Sequence, residues 1–455
     1  MLLLRRFFLP SPEKVSRLTL LQTIFAQEIR GVLLSPSFWM MLIVISLLTG
    51  YSFFQAVDLF SQASRTALSY PELSRGMNPQ TGIFIPTFGA YYLTQTLLLP
   101  FVAIQLIGQD KQTGTLKLLL QLDLSPLTLC SLKLLALLLV WIVSLIPAFS
   151  VLLFWQKMGG HVSVAEIALQ FVGHGLYALT VVTLCLFVAV ISDSLPTAAM
   201  VCLAFTLGSW VLDFAVSGQD GILGTMGAFS LAGLLRDFEN GLLLNVNIFI
   251  FAILSLFFFS MAVCWLHPGK RLINKMSWSC FIFFVLCLAL GSSRYLSGSW
   301  DLTENRQHSL NPADSRTLRR LSLPLRLTLH YNAQDSRLHD LKKNVLAKLA
   351  RNVNELQISY VRSTSTGMFG ASDADNYGII EYEYNNRHDQ SYSNSQEEIL
   401  SIIYGLADMQ VHPDTVAVYP GYPLVVEKAY GSWWMYGVLP GIFFISGLLF
   451  CWKKL

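Results

Sequence analysis

The sequence predicts an all-α polytopic membrane protein, with about eight transmembrane helices and an extracytoplasmic α/β domain. Of its 455 residues, 53% are hydrophobic and only 13% charged, against about 25% charged residues in an ordinary soluble chain. Mean hydropathy is +0.52. The apolar residues also gather into blocks of the ~20 residues that a membrane helix needs. Most acidic residues lie outside those blocks, between Asp301 and Glu427.

Taken in order, the blocks place spans at 37–56, 84–107, 128–154, 166–191, 196–216, 243–266, 277–296 and 432–451. Before the first, Leu18–Leu34 reads as an amphipathic interfacial helix. Leu20, Leu21, Ile24, Phe25 and Ile29 share its apolar face, with Gln27, Glu28 and Arg30 opposite. Met1–Pro10, broken by Arg5 and Arg6, reads as a retained cytoplasmic segment rather than a signal peptide.

Lysine and arginine concentrate in alternate short loops: Lys14, Arg17 and Arg30, then Lys111 and Lys117, then Lys270, Arg271 and Lys275, then Lys453 and Lys454. That bias predicts cytoplasmic termini and an outward polar domain. The domain ranges expected are 1–36 (N-terminus and interfacial helix), 37–266 (six spans), 267–296 (linker and seventh span), 297–431 (outward domain) and 432–455 (last span and basic tail).

The outward segment alternates strand and helix signals. Leu325–Tyr331, Leu356–Val361, Tyr377–Tyr384 and Thr415–Tyr419 read as strands, Arg337–Asn354 and Gln396–Ala407 as helices. Ser363–Asn376 reads as a mobile loop. Tyr377, Tyr382, Tyr384 and Tyr392 suggest a sugar-stacking platform, although tyrosines are also ordinary strand residues.

Several chemistries are excluded. No phosphate loop, G-x-S-x-G, H-E-x-x-H or dinucleotide turn occurs, so the chain is not expected to be an enzyme or to carry a cofactor or metal. A net charge of +3 with no basic aromatic stripe argues against nucleic acid. The seven cysteines fall in or beside apolar blocks and read as core residues. Two ionisable residues stand within spans, His174 and Asp213, and neither has an obvious opposite charge at its depth. His174 reads as a hydrogen-bonded packing residue and Asp213 as reaching interfacial water.

The loop after the second span runs Gln109-Asp110-Lys111-Gln112-Thr113-Gly114-Thr115-Leu116-Lys117-Leu118-Leu119-Leu120, then Leu122 to Pro126. Gly-Thr starts a short apolar helix and Ser-Pro ends it. In Asp110, Gly114, Thr115, Leu118, Leu119, Pro126 and the following Lys133, this stretch resembles the coupling helix of type 2 ABC exporter permeases. Phe25–Arg30, with Glu28 and Arg30, followed by Ser35-Pro36, resembles the elbow helix of the same family. Lys117 departs from the glutamate frequent there. Further on, Asp301-Leu302-Thr303-Glu304-Asn305-Arg306 leads to Leu310 and Pro312. It resembles the start of the auxiliary component of gliding-motility-type ABC transporters, shortened in its second half.

The resemblances imply the permease subunit of an ABC transporter, an exporter rather than an importer, in a bacterial cytoplasmic membrane. Its partners would be a separate cytoplasmic ATPase, a second permease copy or paired permease, membrane lipid and an envelope partner of the outward domain. The alternative is a non-transporting membrane-anchored binding or scaffold protein derived from such a permease.

Overall fold

The computed structural model describes residues 17–121, 124–216, 227, 229–296, 298–331, 335–360, 377–409, 419–426 and 431–452. The N-terminal segment to Pro10, the loop Ser363–Asn376, most of the strand expected at Thr415–Tyr419 and the tail lysines lie outside them.

Among the described residues, eight helices are long and apolar enough to cross a bilayer, so the chain is a multi-pass membrane protein. They are α2 (Pro36–Ser69), α3 (Ile85–Thr113, continuing a π-helical turn from Gln80) and α5 with α6 (Pro126–Ser144 and Ile146–Lys157, broken at Leu145). Then follow α7 (Val164–Ile191), α8 (Leu195–Val216), α10 (Asn245–Leu266), α11 (Leu272–Ser292) and α15 (Leu439–Trp452, continuing a π-helical turn from Trp434). Between them stand α1 (Arg17–Leu33), α4 (Thr115–Gln121) and α9 (Leu231–Glu239). Edges agree with the hydropathy blocks within a few residues, except that α2 runs on to Ser69.

That extension has a packing partner from the far end of the chain. Ser61 and Ser64 on α2 accept hydrogen bonds from the backbone N–H groups of Val426 and Leu424 (2.9 and 3.0 Å), so the far end of the helix holds an extended strap. The strap leads into α15, which packs along α2: Ser46 donates to the Met435 carbonyl (3.0 Å), and Trp39 stacks on Phe450. The most enclosed span is α7, packed against α3, α8, α9 and α10; α11 lies at the edge, against α10.

The bundle has two ends. The near face carries α1 and α4, and the far face carries the described residues between 299 and 426. On the far face β1 (Leu242–Leu244) pairs antiparallel with β2 (Ser299–Asp301). A four-stranded sheet follows, in the order β4-β3-β5-β6, with β3 (Leu325–Leu329) parallel to β4 (Leu356–Tyr360) and antiparallel to β5 (Ile380–Tyr384). β6 (Arg387–Ser391) pairs antiparallel with β5.

Alternation places Leu325, Leu327 and Leu329 in one core with Leu341, Val345 and Leu349 of α13 (the helical stretch 336–352) and with Ile399 and Ile403 of α14 (Gln396–Ala407). The helix α12 (Pro312–Leu318) closes the unit through Leu318. The tyrosine platform does not form. Tyr382 and Tyr384 are buried in the core, Tyr377 donates to Asp335, and Tyr392 lies exposed, because strand alternation sends neighbouring tyrosines into the sheet's packing rather than to one open face.

Candidate functional site: an ion triad beneath a short loop helix

On the near face, three ends of chain are tied at one lysine. Lys133, two turns into α5 and 1% exposed, places Nζ 2.6 Å from Glu28 Oε1 and 2.5 Å from Asp110 Oδ2. It also donates to the Leu106 carbonyl (3.3 Å). Helical spacing explains the convergence. On α1, Ile24, Glu28 and Val32 are buried at successive i, i+4 positions, so Glu28 sits on the packed stripe. The sequence places it on the polar face. That expectation is corrected: the acid turns inward because a buried cation waits there, and an isolated buried charge would cost several kcal/mol.

Burial raises the Glu28 carboxyl above its ordinary value, and Lys133 pulls it back. With both acids ionised the triad carries one excess negative charge. Because the folded-state value lies above the unfolded carboxyl's 4.5, this group favours folding at low pH. That contribution fades as pH rises from about 4.5 through the folded-state value. Glu28→Gln, neutral throughout, should remove this slope. Comparing melting temperatures of wild type and variant in detergent, the variant should gain on the wild type as pH rises above about 4.5.

Above the triad the chain turns sharply. Gly114 ends α3 in the left-handed region (φ +79°), its N–H donating to the Lys111 carbonyl, a conformation that favours glycine. Thr115 then opens α4, its hydroxyl 2.8 Å from that of Thr113. Leu116 faces inward, Leu119 is half-buried, and Leu118 is 65% exposed. Ser125 caps the next helix by accepting from Thr128 N–H (3.1 Å), with Pro126 at its first position. Glu28, Asp110 and Leu119 also line a cavity of about 120 Å³ between α1, α3 and α4. Arg30, by contrast, faces outward from α1, away from the triad.

A second tie leaves the same loop. Lys111 Nζ donates to the carbonyls of Val190 and Ser192 (2.9 and 2.6 Å), at the end of α7, and lies 3.5 Å from Asp193. The cation thus satisfies carbonyls left open where the helix stops. Displacement of α4 would be felt by α1, α3 and α5 through the triad, and by the α7–α8 turn through Lys111.

The Asp301–Pro312 motif forms a clamp between the far-face unit and the bundle. Asp301 closes the turn on itself: Oδ1 accepts from Thr303 N–H and hydroxyl, Oδ2 from His308 N–H and Ser309 hydroxyl. Leu302 N–H donates to the Gly241 carbonyl, and His308 Nε2–H to the Asn240 carbonyl (2.8 Å). Glu304 N–H reaches Glu166 Oε1 (2.8 Å), and the Glu304 carboxylate meets His161 (2.8 Å), which stacks on Tyr422. Leu310 is buried in the unit's core, and Pro312 starts α12.

The intramembrane ionisable residues do have partners. His174 Nε2 lies 3.2 Å from Glu239 Oε1, and Asp213 Oδ2 lies 2.6 Å from Arg236 Nη2. Both partners come from α9, a nine-residue helix between α8 and α10 that packs against α7 and α8. Only Ser230 hinted at it in the sequence, as a helix cap accepting from Gly233 N–H. Among the described residues no three His, Cys, Asp or Glu side chains lie close enough to hold a metal ion.

Comparison with protein-family profiles, with curated proteins and with solved structures returns no match for this chain.

Proposed function

We propose that this chain is the membrane permease subunit of an ABC transporter, working as an exporter and driven by a separate ATPase on the near face, which would be cytoplasmic. The observation that carries this reading is the triad. Glu28, Asp110 and Lys133 join the two segments that resemble an elbow and a coupling helix to the foot of the third span. A loop that only connected two spans would need no such anchorage, since surface loops ordinarily tolerate change. Here the buried ions tie α1 to the feet of α3 and α5, α4 follows α3 directly at Gly114, and Lys111 extends the tie to the α7–α8 turn.

In this mechanism ATP binding closes the ATPase dimer and pushes α4. These ties pass that displacement into the bundle, biasing it between two packings. Leu118 is the exposed apolar residue available for docking. The far-face unit, outside the cytoplasm, would move with α7 and α9 through its clamp and meet cargo or an envelope partner.

Leu118→Glu removes an apolar docking residue without entering the core. It should cut stimulation of the partner ATPase by roughly tenfold or more, the effect of losing a central apolar anchor of about 1.4 kcal/mol, while the melting temperature stays near wild type. Undiminished stimulation would sink the assignment of α4 as the docking element.

A further inference from the structure

The far half of the bundle contains polar atoms that no neighbour satisfies. Gln80 Nε2 donates to Gln170 Oε1 (3.1 Å) and to the Glu239 carbonyl (3.0 Å). Gln80 Oε1, Gln170 Nε2, both ring nitrogens of His174 and Glu239 Oε1 are buried without a hydrogen bond. His174 and Glu239 are close enough to pair as charges, at 3.2 Å, but out of line for hydrogen bonding. Gln170 and His174 are 0% exposed and Gln80 is 3% exposed. A buried polar group left without a partner is costly, so such a cluster on three elements points to an occupant.

The open atoms define that occupant's chemistry. Gln170 Nε2 and one imidazole N–H need acceptors, whereas Gln80 Oε1, Glu239 Oε1 and the other imidazole nitrogen need donors. A bare metal ion answers only acceptors, and an anion is repelled by Glu239. Water answers both, and buried water with several polar partners is a normal part of protein structure. The Glu239 side chain is 12% exposed, which leaves a route to solvent. His174 stands ten residues along α7 from Val164, about 15 Å at 1.5 Å per residue.

We propose that Gln80, Gln170, His174 and Glu239 enclose a hydrated proton-binding site within the far half of the bundle, in which His174 and Glu239 together take up one proton from far-face water. Uptake forms one N–H bond on the imidazole and releases one water from the hydronium that delivers the proton. The pair passes from a net charge of −1 to a neutral ion pair. Intramembrane ionisable residues of this kind are rare because an uncompensated charge there is expensive.

The other titratable groups facing the pair are Tyr91 and Tyr92 of α3. Tyr91 meets the His174 ring edge-on at 5.6 Å, and Tyr92 packs edge-on against Tyr177 at 4.9 Å. Asp213 is held by Arg236, and Asp237 accepts from Asn247. The site adjoins the far-face clamp: Glu239 precedes Asn240, whose carbonyl receives His308 and Gln307.

The proposal is independent of the transporter reading, and its test needs no ATPase. Proton uptake by the full chain in detergent is measured with an indicator dye between about pH 8 and pH 5, spanning the range in which histidine titrates. Wild type should bind about one proton more per chain than the His174→Gln, Glu239→Gln double variant. Equal uptake overturns the site. Should the double variant fail to fold, Glu239→Gln alone keeps the side chain's shape. It leaves a charged imidazole uncompensated in a buried site, so it should take up less of that proton over the same range; uptake equal to wild type overturns the pairing.

Discussion

Replacing Lys133 by alanine should be the most damaging single change on the near face. Two carboxylates, one 8% and the other 21% exposed, would lose their common cation, and removing one partner of a buried ion pair costs about 3–5 kcal/mol. The melting temperature in detergent should fall by many degrees, and the tie between α1, α3 and α5 should be lost. The triple variant Lys133→Met, Glu28→Gln, Asp110→Asn removes every charge at once, and buried ion networks replaced as a whole are often neutral or stabilising. It should recover most of the stability without recovering transmission from α4. Equal melting of Lys133→Ala and wild type would show that the triad anchors nothing.

Gly173→Leu should do comparable harm at the far end. A Cβ at Gly173 would stand 2.5 Å from Phe238 Cβ and 2.8 Å from its Cγ. Those atoms are fixed close to the backbone of α9 and cannot swing aside. Overpacking of this kind costs about 1–3 kcal/mol and occasionally more, and relief requires α9 to leave α7. Glu239 follows Phe238 and would part from His174. Hydrogen exchange over Leu231–Glu239 should therefore accelerate. Gly175→Ala is the control: its Cβ meets only the outer ring of Trp141, at 3.1 Å, so exchange in α9 should stay near wild type.

How far the sequence reached depended on the range of the forces involved. Span positions follow from local composition, and the capped break at Gly114 and Ser125–Pro126 is written in neighbouring residues. The β3, β4, β5 and α14 signals are local too. β6 was missed because an edge strand of Arg, His, Asp, Gln and Ser has no apolar alternation. In the structure, Asn385 and Asn386, which join it to β5, both take positive φ (51° and 61°), as a two-residue hairpin turn requires. Glu28 was assigned to the wrong face of α1 because amphipathicity treats every acid as solvent-seeking, and only the fold shows that Lys133 lies opposite. Glu239 was passed over for a similar reason. A short helix returning to pack on α7 and α8 looks, residue by residue, like a loop.

In the transporter we propose, α4 receives force from an ATPase and the Lys133 triad anchors the helices beneath it. The measurement that tests this most directly is purification of the tagged full chain in gentle detergent, followed by mass spectrometry of what stays bound. The account predicts a stoichiometric partner carrying a phosphate loop and an ABC signature, retained by wild type and lost on Leu118→Glu. Wild-type chain recovered with no nucleotide-binding partner would contradict the account and favour a membrane-anchored scaffold.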